Sequence, residues 1–367
     1  MTAEPAPSSV LVCSGYNPGV SRFGADFRSA QIFEICREAG LSPEPMAWTR
    51  IGLCARLRAG LGAISSLRRA GTRLRWRDWS LAGYHAVNVA RAIRAHRGAR
   101  LLLWESTGVA VPAWIARQRG FAVVALPQSL ESLDGTLGGI EELRGEAARL
   151  SLADRVFCIS EEEACLVANL GISADWLPYF PEKARREALS RVAAIRANGI
   201  RDDAPWLVIG TAHYPPNREV MRRQLRWLEP AARAGLGVTV VGYGTESLAG
   251  DFPDSPMVFR GAVSEEALGA LLAGARGILI HQDRGGGVIT RIPDSLIAGI
   301  PIVASRFAAR GTVGYAGVHV YNTPEEMLAL VHSVRPGPFS PPAPPAAAER
   351  RFVRVLRDLA SGRPGER

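Results

Sequence analysis

Short, continuous apolar runs recur along the chain, each followed by a stretch with helical spacing. In the first half, Ser9–Cys13, Leu101–Trp104, Phe121–Ala125 and Ala153–Ser160 read as strands. Apolar positions 27, 30, 32, 33 and 35 predict a helix over Gly24–Ala39. Leu53, Leu57, Leu61, Ile64 and Leu67 predict another helix, and 81–97 a third. Ser14–Gly19 reads as the loop after the first strand, rich in turn formers. Ser160 with Glu163 forms a capping box that opens a further helix. A Pro-containing strand is expected over Trp176–Pro181, then a charged helix over 182–200 that runs into a linker at Asn198–Asp203. The pattern then restarts with Trp206–Gly210, Val238–Gly244, Val258–Val263, Gly277–Ile280 and Pro301–Ala304. Strands apolar at nearly every position are covered on both faces, so the alternation predicts parallel sheets flanked by helices. The boundaries expected are an α/β domain over 1–200, a second over 201–335, and a Pro-rich connector over 336–348 leading to a helix at 349–361. The tail after Ser361 is expected to be disordered.

Composition narrows the class. At 367 residues and 47% hydrophobic content the chain can fill two cores. No apolar run reaches the roughly eighteen residues a spanning helix needs, and the first ten residues lack the basic-then-apolar order of a signal peptide. The five cysteines (13, 36, 54, 158 and 165) are odd in number and show no CxxC spacing, so they read as reduced core residues of a cytosolic protein. The six histidines show no metal-ligand spacing. Net charge is +9, and residues 50–77, with eight arginines and no acid, supply +8 of it. Two readings of that segment stand side by side: a solvated face of a domain helix, and a basic amphipathic helix in peripheral contact with an anionic membrane. Nucleic acid is not the expected partner, because interleaved aromatics are lacking. One lysine stands against 43 arginines, a bias that indicates a GC-rich genome.

The stretch richest in candidate chemistry is His281–Ser305. Three glycines, Gly285 to Gly287, follow an apolar strand; a short helix over Val288–Gly299 is expected next, then a second buried strand. That layout aims backbone N–H groups and a positive helix end at an anion. Arg291 in the first turn is placed to reach a phosphate, and Asp294 one turn on to accept hydrogen bonds from ribose hydroxyls. The plainer alternative is a βαβ unit whose glycines only make a tight turn.

Gly285-Gly286-Gly287, Arg291, Asp294 and Ala298-Gly299-Ile300-Pro301-Ile302-Val303 resemble the donor-binding segment of the group-1 glycosyltransferases of GT-B fold. The family's Lys is Arg291 here and its Glu is Asp294, while a second family Glu, eight positions before, falls on Gly286; Asp283 is a candidate substitute. Further matches are Gly24 with Arg28, the run Ala153–Ser160, Gly210 with Pro216-Asn217, Gly242-Tyr243-Gly244 and Phe259-Arg260-Gly261-Ala262-Val263. The usual Asn-Gly after Pro178 is absent.

The resemblance implies the GT-B fold: two Rossmann-like doubly wound domains facing a central cleft. It implies a metal-independent transferase that moves a sugar from a nucleoside-diphosphate sugar, as substrate and with no cofactor, to a saccharide, lipid-linked saccharide or small molecule. Its donor site would comprise His213, Asn217, Arg218, Gly242, Gly261, Val263, Asp283, Gly286, Gly287, Val288, Arg291 and Asp294. Arg291, with the 286–288 amides, would also stabilise the leaving diphosphate. On the acceptor side, Glu105, Gln128 and Glu131 lie at the carboxyl ends of strands, where open α/β sheets bind ligands. Glu105 and Gln128 are the catalytic candidates there. Gln128 stands where the family often shows a His, so no general base is assigned. The location implied is a bacterial cytoplasm, with the inner membrane face as alternative. Two other readings remain: a sugar-nucleotide epimerase, which needs acid–base residues not evident here, and a binding protein of the same fold that has lost catalysis.

Overall fold

The computed structural model describes residues 8–15, 24–69, 76–133 and 139–361. The expected loop beyond Gly15, positions 70–75 of the arginine-rich segment and the tail after Ser361 lie outside them. The chain runs β1 (Ser8–Cys13), α1 (Gly24–Glu38), β2 (Leu41–Pro45), α2 (Leu53–Arg69), α3 (Trp76–Ala95), β3 (Leu101–Trp104), α4 (Val111–Gln118), β4 (Ala122–Ala125), α5 (Ile140–Leu150), β5 (Arg155–Cys158), α6 (Glu161–Asn169) and β6 (Ala174–Trp176). It continues with α7 (Lys183–Arg196), β7 (Trp206–Ile209), α8 (Pro215–Arg233), β8 (Val238–Val241), β9 (Val258–Phe259), α9 (Glu265–Gly274), β10 (Gly277–Ile280), α10 (Arg291–Ile297), β11 (Ile302–Ser305), β12 (Val318–Tyr321), α11 (Pro324–Ser333) and α12 (Ala346–Ala360).

Contacts divide the chain into two compact units. One comprises Met1–Tyr179, Gly285–Gly287 and Pro345–Arg367; the other Phe180–Arg284 and Val288–Pro344. The expected boundary at 200/201 thus differs from the contact boundary at 179/180, because Leu189 and Val192 of α7 pack into the second unit's core beside Ile278, Ile292 and Ile302. Each unit holds one six-stranded sheet, in the orders β2-β1-β3-β4-β5-β6 and β12-β11-β10-β7-β8-β9, with every pairing parallel. These are two Rossmann-like domains.

Strand residues alternate between two apolar layers, which explains why the strands are apolar throughout. In the first unit Leu11, Leu102, Val123 and Val156 face one layer, and Val10, Val12, Leu103, Val124 and Phe157 the other. α1 covers the second layer with Ile32 and Phe33, and α12 covers it with Phe352 and Leu356. The Phe157 and Phe352 rings meet edge to face at 4.8 Å. In the second unit Trp206, Val208, Val240 and Leu279 face one layer, and Leu207, Ile278 and Ile302 the other.

Local differences from the sequence reading have simple causes. β2 was not expected, since Pro43 and Pro45 discourage a strand; it survives as the edge strand beside β1, where a missing N–H is tolerated. The strand expected over Trp176–Pro181 lies earlier, at Ala174–Trp176, clear of the prolines that cannot donate to a ladder. The helix expected from Val288 begins only at Arg291 and ends at Ile297, and Gly299 just past its cap has a φ of +69°, which suits glycine after a helix end. Of the cysteines, 13, 36 and 158 are buried as expected, whereas Cys54 and Cys165 are exposed on the outer faces of α2 and α6.

Arg196 ties this second core together. Its guanidinium donates to Gly299 O (3.0 Å) beyond α10, and to Leu272 O (2.9 Å) and Ala275 O (2.6 Å) at the end of α9. These carbonyls lie at or just beyond helix ends, where the ladder of helical bonds stops. Burial lowers the Arg196 pKa to about 10, which leaves it charged. Arg196→Met should therefore strand several carbonyls and lower the stability of the second unit by about 3 kcal/mol. A urea denaturation midpoint equal to that of the wild type would refute the role.

Candidate functional site

In the second sheet the chain steps from β7 outward to β8 and β9, then returns to the other side of β7 for β10, β11 and β12. The reversal lies between β7 and β10, and the loops at their carboxyl ends border the place where such sheets bind ligands. Gly242 has φ +129°, and a Cβ there would lie 1.8 Å from Gly210 O, so only glycine permits the β7 and β8 loops to meet. Gly242 N–H donates to Gly261 O (2.8 Å) and Ala212 N–H to Tyr243 O (2.7 Å), which binds the loops after β7, β8 and β9 into one rim. His213 is exposed on this rim, its ring against Gly244. Asn217 is exposed at the start of α8. Arg218 is turned onto Ser247 and lies 3.6 Å from Asp251. Val263 is part-buried just before α9.

The β10 side carries the stronger electrostatics. Arg291 opens α10 and its Nη1 donates across the reversal to Ile209 O at the end of β7. Burial lowers its pKa to about 10 against the opposing pull of Asp294, so the guanidinium is charged at neutral pH. Asp294 is buried and its Oδ2 accepts from both Nε and Nη2 of Arg185 on α7, each at 2.7 Å. Asp283 is exposed and paired with Arg223 of α8 at 2.6 Å. Val288 is part-buried ahead of α10. His281 was not assigned a role from sequence. Its Nδ1 lies 3.0 Å from the Tyr321 hydroxyl and its ring meets Trp227 edge to face at 4.6 Å. Burial, with the Arg223 charge added, lowers its pKa to about 4, so it is a neutral imidazole at neutral pH.

The first sheet reverses between β1 and β3. Glu105 sits at this point, directly after β3, with its N–H donating to Cys13 O at 3.0 Å. Its side chain is buried. Ser29 Oγ donates to Oε2 at 2.6 Å, and the Ser14 side chain is a second hydrogen-bond partner. Burial raises the Glu105 pKa, while those two bonds and the Arg28 charge oppose the rise. Arg28 is itself buried, donating to Leu177 O (2.6 Å) and Pro178 O (3.2 Å), so it latches α1 to the segment after β6.

Gln128 is part-buried, and its Nε2 has no hydrogen-bond partner among the described residues. Glu131 follows in the same loop, its N–H donating to Glu146 at 2.9 Å. The loop packs on the glycines grouped with this unit. Gly287 N–H donates to Glu163 Oε1 at 2.6 Å, and the same oxygen accepts from Leu130 N–H at 3.1 Å. A Cβ on Gly286 would approach Glu163 Oε1 to 2.6 Å, and one on Gly287 would approach Gln128 O to 2.5 Å. The glycines are therefore required by close packing, and one of the amides expected to face an anion holds a carboxylate.

His213, Gly242 and Gly261 thus share one rim, with Arg291 reaching into it at Ile209. Asp283 and Arg218 are held to one side by ion pairs. Sequence reading missed Arg185, which lies in a charged helix with no motif, and gave Glu163 only its capping role. The capping bond is present, Glu163 N–H to Ser160 Oγ at 3.1 Å, but its carboxylate does more. Among the described residues no group of three or more His, Cys, Asp or Glu is placed to hold a metal ion, and no helix is long and apolar enough to cross a membrane.

No family model and no curated protein matches the chain. Solved structures do. Sucrose-phosphate synthase from Thermosynechococcus elongatus superposes with a TM-score of 0.60 at 13% identity, over 97% of each chain. HepE of Anabaena in complex with UDP-glucose gives 0.54 at 13%, over 97% of this chain and 95% of that one. UDP-GlcNAc 2-epimerase from Methanocaldococcus jannaschii gives 0.50 at 10%, over 95% and 99%. At this identity the likeness establishes the GT-B fold.

The Glu105 cluster makes a pH prediction. Its folded-state pKa is raised above the ordinary value near 4.5, so the folded chain binds the extra proton and stability falls as pH climbs from there through the folded pKa. Glu105→Gln keeps the Ser29 bond and removes the ionisation. Its melting temperature should lose less than the wild type's between pH 5 and pH 8, read by parallel thermal melts. Identical slopes would show that Glu105 is not the group responsible.

Proposed function

We propose that the chain is a glycosyltransferase that moves a sugar from a nucleoside-diphosphate sugar to an acceptor hydroxyl without a metal ion. The observation that carries this reading is Arg291, a charged guanidinium held at the reversal of the second sheet and bonded only to a neutral carbonyl, Ile209 O, in the bonds described. A phosphate oxygen is a stronger partner for it, because the acceptor then also carries charge and two phosphate oxygens can take the guanidinium fork in parallel bonds, which one neutral carbonyl cannot. The HepE complex with UDP-glucose supports a donor of this class.

In the reaction the bond from the sugar's anomeric carbon to the diphosphate oxygen breaks, and its electron pair leaves on that oxygen. The acceptor oxygen bonds to the same carbon and passes its proton to the departing diphosphate oxygen, so that the step balances without an assigned general base. Arg291 stabilises the negative charge that grows on the diphosphate. The rim holding His213, Asn217, Gly242, Gly261 and Val263 receives the nucleoside, and Asp294 is held rigid by Arg185 to meet the ribose. Glu105 and Gln128 belong to the acceptor-side unit. The acceptor is a saccharide, a lipid-linked saccharide or a small molecule.

A second reading, a binding protein of the same fold that has lost catalysis, is favoured by two observations. The Gly287 amide already holds Glu163, and the Asp294 carboxylate already holds Arg185.

Thermal-shift melts against UDP, GDP, ADP and dTDP test the reading. One of them, at about a hundred times its dissociation constant, should add about 2.7 kcal/mol of stability to the wild type. The gain should vanish in Arg291→Ala. Slow hydrolysis of the matching sugar nucleotide would identify an enzyme, and binding without hydrolysis the second reading. If no nucleotide shifts the melt, the donor site is misassigned.

A further inference from the structure

α2 presents an unusual surface. Leu53, Leu57 and Leu61, four residues apart and hence on one face, are 69%, 58% and 69% exposed. The helix is nevertheless firmly seated. Ile64 and Leu67 are buried in a core with Ala82 and Ala86 of α3. A Cβ on Gly83 of α3 would lie 1.7 Å from Arg56 O, so the two helices touch backbone to backbone. The three leucines therefore point outward from a fixed helix. Arg50, Arg58 and Arg68 are exposed alongside them, and no acid occurs anywhere in residues 50–77. The whole segment supplies +8 of the net +9, and of its arginines whose side chains are described Arg50, Arg58 and Arg68 are exposed and Arg56 is part-buried.

Arginines alone would fit a solvated face or a nucleic acid, but neither uses three outward leucines. Leucines alone would fit any protein partner, but an acid-free, strongly basic border favours a negatively charged one. A surface both apolar beneath and anionic above satisfies both features, and that is the headgroup region of an anionic phospholipid leaflet. We propose that α2 docks the first unit onto an anionic membrane surface, with Leu53, Leu57 and Leu61 entering the acyl boundary and the flanking arginines meeting lipid phosphates. The docking does not depend on the transfer reaction, and it would bring the acceptor-side unit to lipid-borne acceptors.

The test uses the full chain and vesicles of phosphatidylcholine with or without phosphatidylglycerol. Cosedimentation should be strong only with phosphatidylglycerol and should weaken as salt rises. Leu57→Ser/Leu61→Ser, at exposed positions that leave the fold intact, should reduce binding at least about tenfold. Arg58→Glu should weaken it in the anionic vesicles. The wild type offers an internal readout, since Cys54 lies beside the leucines and exposed Cys165 lies on α6. Vesicles should protect Cys54 from maleimide and leave Cys165 reactive. Several outcomes overturn the proposal: no vesicle binding, binding untouched by the leucine substitutions, equal protection of both cysteines, a leucine-dependent dimer in light scattering without vesicle binding, or leucine-independent capture of an oligonucleotide. No sugar nucleotide enters the assay, so its failure leaves the transfer reading intact.

Discussion

A parallel sheet buried on both faces confines its polar chemistry to its edges, and this constraint governs both units. Strand residues such as Val10, Leu11, Leu102 and Val123, or Leu207, Val208 and Ile278, are wholly committed to the two apolar layers. Charged groups then gather where strands end. In each sheet one such place is singled out by topology, because the chain reverses direction there and the flanking loops part. Glu105 occupies that place in the first sheet, and Arg291 reaches across it in the second.

The guanidinium is the tool the chain uses to hold these regions in register. Arg28, Arg185, Arg196 and Arg291 each span elements far apart in sequence, and three of the four do so by donating to backbone carbonyls. A planar donor fork suits this, since one side chain can satisfy several carbonyls at helix ends and strand ends at once. Lysine, with a point charge on a flexible stem, would serve poorly. A composition of nearly all arginine among the basic residues is thus turned to structural use, whatever its genomic origin.

The fold was legible because it depends on periodicity. Runs such as Leu101–Trp104 and Gly277–Ile280 announce buried strands, and the spacing in 24–39 announces a helix. What escaped was set by partners distant in sequence. β2 exists only because β1 offers it an edge, and no local propensity favours Leu-Ser-Pro-Glu-Pro as a strand. At the candidate site the glycines and Arg291 were visible as a pattern, but their partners were not. Glu163 lies 124 residues from Gly287, and Arg185 lies 109 from Asp294. A carboxylate that caps a helix gives no sign in sequence that it also receives a distant amide. Likewise Leu53, Leu57, Leu61, Ile64 and Leu67 read as one apolar stripe, and only the structure shows that the first three are exposed while Ile64 and Leu67 are buried.

The placement of α12 bears on how the protein comes into being. Phe352 and Leu356 close the apolar layer formed by Val10, Leu103 and Phe157, and Arg357 donates to Ala39 O at 3.1 Å. These residues are synthesised after every strand of both sheets. The half of the molecule that leaves the ribosome first therefore waits longest to be finished, its apolar layer open while the later half already has all its strands. Chains of this length are prone to aggregate through such transiently exposed layers. During that interval the newborn first unit keeps that layer open, and its maturation is tied to the synthesis of α12 rather than to its own early arrival.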